Sequence, residues 1–346
     1  MTHLLRRTGR RPDHDQHDQH DHFHHHHHPR PPVAHMPRRA LVTTTTPPPI
    51  ASSAAPGPAR PTRSRVVAAL ARGAARRLVR HPVLVLGLLL SALAVRSVTG
   101  ADWSGARYSG YLAATGGLLW AVSVAAAHEG SRARARLAED APVRDTDRAL
   151  GGLLGGVALV GAVAVLLAGA ATWLRLTGGL DLGDEPGRTL SAHYTLPELL
   201  QPVLAAALGV ALGVALGRRV GTLGATAVLS VVWFVSSGLY WVMNAPGLRV
   251  LALIQTMPVH VPVGDRSSDP RSLPSDWLLG APNEYSDTWV HLVVSPSLAA
   301  WHDVYLLGLT LLAAAAAVPG RTRRLALAAG TALVVLGVGA QLAVMP

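Results

Sequence analysis

The stretch "RSRVVAALARGAARRLVRHPVLVLGLLLSALAV" (Arg63–Val95) decides the fold, because its character changes abruptly at its midpoint. At about 100° per residue, the first half predicts a helix with an apolar face and a basic face. The apolar face carries Val67, Leu70, Ala71, Ala74 and Leu78. The basic face carries Arg65, Arg72, Arg76 and Arg80. A basic amphipathic helix of this kind is suited to lie in a membrane interface, although a soluble surface helix has the same pattern.

The second half favours the membrane interpretation. His81-Pro82 ends the amphipathic helix, and an uncharged apolar run begins at Val83. Proline breaks a helix interior but is well tolerated in the first turn of a new helix. The stretch therefore predicts an elbow, with one helix along the membrane surface and the next helix entering the bilayer.

Six more apolar segments follow, and most approach the roughly 20 residues that cross a hydrocarbon core. They are 108–127, 149–174, 203–217, 220–243, 304–318 and 325–345. We therefore predict an all-α polytopic membrane protein with about seven transmembrane helices, preceded by an interfacial helix. The predicted domains are a tail over 1–63, the amphipathic helix over 64–81 and a transmembrane domain over 82–346, which includes an outer loop over 244–300.

Composition agrees with a membrane protein and limits the chemistry. Charged residues make up 15% of the chain, against about 25% in soluble domains. The absence of Cys excludes disulfides and Cys-ligated metals. The net charge of +11 suggests nucleic acid, but the arginines lie between apolar segments, so we predict no nucleic-acid partner.

The N-terminal tail is of low complexity and carries eleven of the 17 histidines in its first 35 residues. Without apolar periodicity, it is predicted to be a disordered, His- and Pro-rich cytoplasmic tail. Imidazole binds divalent metals, but the tract lacks the fixed spacing of a specific site. We predict no metal site in the chain.

The arginines of the short loops predict the orientation of the chain. Seventeen lie on the side of the amphipathic helix and seven on the opposite side. Cytoplasmic loops are enriched in basic residues. The N-terminus is therefore predicted to be cytoplasmic, in a multi-pass protein of the plasma membrane.

Residues needed for several functions are missing from the apolar segments. No Asp, Glu, Lys, Arg or His lies in their cores, which argues against proton-coupled transport. The chain has no Lys, so it lacks the phosphate-binding P-loop, and any ATPase is a separate polypeptide. Ser236 and Ser237 have no histidine within the segments, so we predict no enzyme activity and no catalytic or cofactor-binding residue.

His302 and Asp303 invite a catalytic interpretation, but adjacent residues diverge by about 100° on a helix and do not face each other. Ser295 and Pro296 instead predict a helix start, with Ser295 as the N-cap. We therefore expect His302 either to contact lipid headgroups or to bond to the outer loop.

Small residues and charged loops complete the pattern. Gly209, Gly213 and Gly217 form a smooth stripe that lets helices approach closely in lipid. Packing within the chain is favoured over a subunit interface. The charged segment 128–156 is equally consistent with a solvated loop and with a docking element for a cytoplasmic partner. The aromatic and apolar residues of the outer loop predict short helices at the outer leaflet.

Three stretches of the chain together resemble a known family. They are "RRLVRHPVLVLGLLLSAL" (Arg76–Leu93), the segment from Glu129-Gly130-Ser131 to "LAEDAPVRDTDRAL", and "SPSLAAWHDVYLLGL" (Ser295–Leu309). In order and topology they resemble the integral membrane permease subunits of exporter-type ABC transporters, of the kind common in actinobacteria. That family usually has six spans, so the resemblance implies a six-span exporter core plus one further helix.

The resemblance also implies partners and site residues. A second permease subunit, identical or different, would pair with this chain, and each would bind a cytoplasmic ATP-binding subunit. ATP would be bound by that partner, with no cofactor in this chain. The ATPase-coupling loop would comprise Glu129, Arg132, Arg136, Glu139 and Arg144. The amphipathic helix would be a connecting helix that also touches the ATPase.

Two other functions remain open at this point. The chain could be a non-transporting membrane scaffold or assembly protein. It could also be a membrane-bound enzyme that assembles a site from the outer loop. The candidate residues for such a site are Asp276, Glu284, Asp287, His291, His302 and Asp303.

Overall fold

The structure is a computed structural model that describes residues 62–100, 106–135, 143–180, 193–242, 250–254, 259–262, 290–293 and 295–345. Three predictions lie outside these residues: the tail up to residue 61, the coupling residues Arg136 and Glu139, and most of the outer loop.

The described chain is almost entirely helical. Its helices are α1 (Arg63–Val79), α2 (Val83–Thr99), α3 (Ala106–Ala113), α4 (Gly116–Ala135), α5 (Asp145–Leu176), α6 (Leu196–Val242), α7 (Pro296–Ala317) and α8 (Arg321–Val344). Strands β1 (Val259–Pro262) and β2 (Val290–Val293) form one small antiparallel pair, with Val259 opposite Val293. Where the outer loop is described, it therefore contains a turn and this pair rather than the short helices that we predicted.

Five helices are long and apolar enough to cross a membrane, and a sixth is added if the bent pair α1–α2 counts as one span. This result confirms the predicted all-helical class, with five to six helices that could span a membrane. Many large apolar side chains on these helices are exposed, including Leu89 (58%), Val165 (74%) and Val335 (66%). Such faces are normal in a bilayer, where hydrocarbon replaces water as the solvent.

The elbow between α1 and α2 bends by 49°. At the bend, the backbone N–H of Val83 donates to Nδ1 of His81 at 3.3 Å, and that of Leu84 donates to the His81 carbonyl at 3.1 Å. Ala74 and Leu78 are buried. The predicted basic face is exposed and comprises Arg65, Arg72, Arg76 and Arg80.

Helix α6 is a hairpin rather than one straight rod. Gly221 has φ 76° and ψ 179°, outside helical values and in a region that favours glycine. Oγ of Ser123 on α4 accepts from Nε1 of Trp233 at 3.0 Å. The same Oγ lies 2.3 Å from where a Cβ on Gly209 would be. In a straight helix, Gly209 and Trp233 would be about 36 Å apart, so the two arms fold back at Gly221.

Helix α4 is the most buried of the candidate spans and packs against the first arm of α6. A Cβ on Gly213 would lie 2.2 Å from the Ser123 carbonyl oxygen, and one on Gly217 would lie 2.0 Å from that of Ala127. The glycine stripe is therefore in contact with α4 within the chain. At the other end of α4, a turn at Ala114-Thr115 separates α3 from α4, where the sequence predicted one continuous span.

Helices α7 and α8 form a second hairpin, with the turn at Gly320 (φ 97°). Close approach again depends on glycine, because a Cβ on Gly337 would lie 2.6 Å from the backbone nitrogen of Tyr305. Ser295 caps α7, as predicted, by accepting the Leu298 N–H at 3.0 Å.

The helix contact at Gly213 predicts a stability difference. Gly213→Ala places a methyl group against the α4 backbone and should cost about 1–3 kcal/mol through overpacking. Gly161→Ala is the matched control, because nothing lies within 4 Å of its Cβ position. We expect the melting temperature of purified protein in detergent to fall for Gly213→Ala and to stay level or rise for Gly161→Ala. Equal melting temperatures would contradict the tight contact.

Candidate functional site at the charged end of the bundle

Ionic and polar bonds join several helices at one end of the bundle, which we call the charged end. It comprises α1, the last turns of α4, the first turn of α5, the turn of α6 at Gly221 and the last turn of α7. Every one of these segments was predicted to lie on the cytoplasmic side. The bonds below show how they are held together.

The central bond joins α1 to α4. Nε of Arg77 donates to Oε2 of Glu129 at 2.9 Å, and Nη2 of Arg77 donates to Oε1. Glu129 is 8% exposed. A bidentate guanidinium–carboxylate pair fixes orientation as well as distance, so it determines how α1 lies across the bundle.

Two further ion pairs hold the first turn of α5. Nε of Arg63 lies 2.7 Å from Oδ1 of Asp147, and Nη2 of Arg218 lies 2.5 Å from Oδ1 of Asp145. Acidic side chains are favoured in the first turn, because the N-terminal end of a helix carries partial positive charge. α5 begins at Asp145, and its N-cap, Arg144, makes no side-chain cap bond. Asp145 and Asp147 therefore lie inside the helix, where their side chains pair with arginines instead of capping its end.

The turn of α6 is held by main-chain acceptors. Nη1 of Arg134 donates to the carbonyl of Arg219 at 2.7 Å, and Nη2 of Arg219 donates to the carbonyl of Ala316 at 3.0 Å. The first bond connects α4 to α6, and the second connects α6 to α7. Arg134 also precedes the charged segment between α4 and α5, so its bond to Arg219 holds the end of α4 from which that segment begins.

These bonds give the charged end one mechanical property. The segment 136–142 leaves α4 and returns at α5, and both helices are bonded to α1 and to the turn of α6. On either side of that segment, α1, α4, α5 and α6 are therefore linked to one another by ion pairs and hydrogen bonds.

The predicted site residues lie in different environments. Glu129 is buried in its pair with Arg77, whereas Arg132 and Arg144 are exposed. The close approach continues at Gly130, where a Cβ would lie 2.5 Å from the Val214 carbonyl oxygen. Sequence reasoning missed the role of Arg77, and the two pairs made by Arg63 and Arg218 were not predicted either.

The opposite end carries a buried polar cluster that was not predicted. The hydroxyl of Tyr108 donates to Oε1 of Glu198 at 2.9 Å, and the Thr195 N–H donates to Oε2 at 2.8 Å. Tyr194 donates to the Tyr108 carbonyl at 2.5 Å, and burial raises the pKa of Tyr194 well above its usual value. The signal was available, because "TLPE" (Thr195–Glu198) is a capping box.

One of the two expectations for His302 is confirmed. It is fully buried, and its Nδ1 is 2.9 Å from Oε1 of Gln341 on α8. Lipid headgroups were the wrong expectation for this buried side chain, whereas the outer loop was the right one, because the ring also interacts with the main chain of Ala252 and Leu253. One turn later, the Tyr305 hydroxyl donates to the Leu251 carbonyl at 3.2 Å.

Among the described residues, no group of three or more His, Cys, Asp or Glu could hold a metal ion. Asp276, Glu284, Asp287 and the side chain of His291 lie outside the described part of the chain. The outer-loop enzyme hypothesis therefore stays a hypothesis.

Comparison with known proteins identifies no family for this chain. No protein-family model, no curated protein and no solved structure matches the chain.

The Arg77–Glu129 pair predicts a second stability difference. Arg77→Ala leaves a buried carboxylate without its partner and should cost about 1–3 kcal/mol. Arg76→Ala is the matched control, because Arg76 is exposed and makes no ion pair among the residues that the structure describes. We expect a lower melting temperature only for Arg77→Ala, with partial recovery in Arg77→Gln/Glu129→Gln. A double variant as unstable as the single one would contradict this pairing.

Proposed function

We propose that the chain is the membrane-spanning permease subunit of an ATP-driven exporter, working with a second permease subunit and a separate cytoplasmic ATP-binding chain. The observation that carries the proposal is the charged end. There α1 is ion-paired to α4 and α5, the two helices that flank the predicted coupling loop.

Seven spans are proposed for this subunit. They are α2, α3 with α4, α5, the two arms of α6, α7 and α8. The hairpin at Gly221 supports counting the arms separately, because each arm is about as long as a hydrocarbon core is thick. The same count puts every segment of the charged end on one side, which the arginine distribution assigns to the cytoplasm of a plasma-membrane protein.

The distribution of charge supports an external energy source. In the described spans, the ionisable residues lie towards the ends of the helices, as Glu198 and His302 do, and the middle turns carry none. Ion-driven transporters use ionisable groups at membrane depth. The chain lacks Lys and therefore a P-loop, so the proposed ATP-binding subunit supplies the energy.

The charged end suggests how that energy would reach the membrane. Closure of the ATP-binding subunit would press on the segment after Arg132 and on the exposed arginine face of α1. Because Arg77 and Glu129 hold α1 to α4, and Arg63 and Asp147 hold it to α5, the push would move these helices as one body. The first arm of α6 packs directly on α4 and would follow.

The proposal predicts an effect of charge reversal at the coupling loop. We expect Arg132→Glu/Arg136→Glu to lower ATP hydrolysis by the purified complex about ten-fold. The reversed charges would repel the surface of the ATP-binding subunit that the coupling loop is proposed to contact. Arg96→Glu/Arg175→Glu is the matched control, since both arginines are exposed at the opposite end. The measurement is the ATPase rate of affinity-purified complex in lipid vesicles.

Two outcomes of that experiment would contradict the proposal. One is an unchanged rate in the coupling-loop variant. The other is the absence of any ATP-binding chain or ATPase activity in the wild-type preparation, which would favour a scaffold or assembly protein instead.

The proposed orientation is tested separately. The chain has no Cys, so single-cysteine variants report one position each. We expect Thr99→Cys and Thr177→Cys to react with a membrane-impermeant maleimide in intact cells, and Thr322→Cys only after permeabilisation. The reverse labelling would overturn the orientation and place the charged end outside.

A further inference from the structure

The elbow between α1 and α2 contains two adjoining cavities. One has a volume of about 470 Å³ and a lining that includes four arginines, and we call it the basic cavity; the other has a volume of about 550 Å³ and an almost entirely apolar lining. Arg80, His81 and Pro82 line both. The two cavities therefore meet at the point where the chain turns from one helix into the next.

The basic cavity has an excess of positive charge. Its lining includes Arg76, Arg77, Arg80 and Arg132, with Glu129 as the single carboxylate. That carboxylate is already paired with Arg77. Among the described residues, Arg76, Arg80 and Arg132 make no ion pair, so their positive charges are available to bind an anion.

Two histidines complete the lining. The rings of His81 and His128 contact each other edge to face, with centroids 5.1 Å apart. Nδ1 of His81 accepts the Val83 N–H, so the neutral ring carries its proton on Nε2 and is a donor there. Partial burial lowers the pKa of His81, and the neighbouring His128 and Arg132 lower that pKa further.

The apolar cavity is a groove between α2 and α5, with α4 as its floor. Its walls include Leu84 and Leu88 of α2, Leu118 and Val122 of α4, and Leu159 and Val163 of α5. Along α5 the lining extends to Leu166, which gives a run of roughly 10 Å from Leu159. The groove thus extends from the elbow along helices that were predicted to enter the bilayer.

We propose that this double cavity binds one anionic glycerophospholipid, with its phosphate among the arginines of the basic cavity and an acyl chain in the apolar groove. Basic pockets between membrane helices on the cytoplasmic side suit anionic headgroups. A free phosphate would leave the groove empty, and a zwitterionic lipid would bring an ammonium group to the arginines. The inference depends on membrane insertion and is independent of the proposed exporter function.

Bound there, the lipid would contact α1, α2, α4 and α5 together. The phosphate would draw Arg76 of α1 and Arg80, the C-cap of α1, towards Arg132 of α4, and the acyl chain would fill the space between α2 and α5. Neither cavity is lined by Gly213 or Gly217, the glycines that pack against α4.

The test measures binding of three probes to the purified full-length protein. The probes are dioleoylphosphatidylglycerol, dioleoylphosphatidylcholine and inorganic phosphate, titrated in detergent micelles and followed by native mass spectrometry and by the melting temperature. We expect the anionic lipid to bind and stabilise the protein, and the other two probes to do neither.

Two variants separate the halves of the site. Arg76→Gln/Arg80→Gln should weaken binding of the anionic lipid by about thirty-fold. Arg72→Gln is its matched control, an exposed arginine of the same helix that does not line the cavity. Ala162→Trp should block the groove without changing charge, and Ala170→Trp, exposed on the same helix outside the groove, should not.

Each alternative result would overturn the proposal in a distinct way. Equal binding of phosphatidylcholine would indicate an apolar groove without anion selectivity. Binding of phosphate as tight as that of the lipid would indicate a free-anion site. Unchanged lipid binding in both the double arginine variant and Ala162→Trp would show that the lipid binds elsewhere.

Discussion

The backbone contact between α4 and the first arm of α6 is the constraint on which the rest of the bundle depends. In lipid there is no hydrophobic force to press helices together, so association relies on close packing and hydrogen bonds. Gly213 and Gly217 allow the carbonyls of Ser123 and Ala127 to touch the opposite helix. The Ser123 hydroxyl also accepts a hydrogen bond from the indole N–H of Trp233 in the second arm. One serine therefore holds three helical segments together.

Charge is distributed unequally between the two ends of this framework. At one end, arginines of α1 and α6 meet acidic residues of α4 and α5 in ion pairs. At the other end, the buried acid Glu198 is held by hydroxyl and backbone donors instead. At the Glu198 end, the neutral donors hold the carboxylate in place. At the charged end, some arginines have no ion-pair partner among the described residues, so their positive charge is available to bind partners or anions. The functional proposals accordingly rest on the first end.

Local sequence patterns predicted the helices well, but they could not predict the bonds between side chains that are far apart in the sequence. The face of α1, the break at His81-Pro82 and the start of α7 at Ser295 follow from periodicity and capping rules. The Arg63–Asp147 pair joins residues 84 positions apart, and no local rule selects Asp147 over its neighbours. The bond between His302 and Gln341 was missed for the same reason, because Gln341 belongs to another helix. The capping bond of Glu198 could have been predicted from the sequence, but the burial of its carboxylate against Tyr108 could not.

The hairpin of α6 has a further consequence, for the lengths of its arms. Gly209 and Trp233 both meet Ser123, and each is twelve residues from Gly221. Each residue rotates a helix by about 100°. One insertion or deletion between Gly221 and either contact would therefore turn the glycine or the indole away from the serine. A whole turn would restore the direction but would shift the residue by about 5.4 Å along the helix axis. The number of residues between Gly221 and each contact is therefore constrained in both arms.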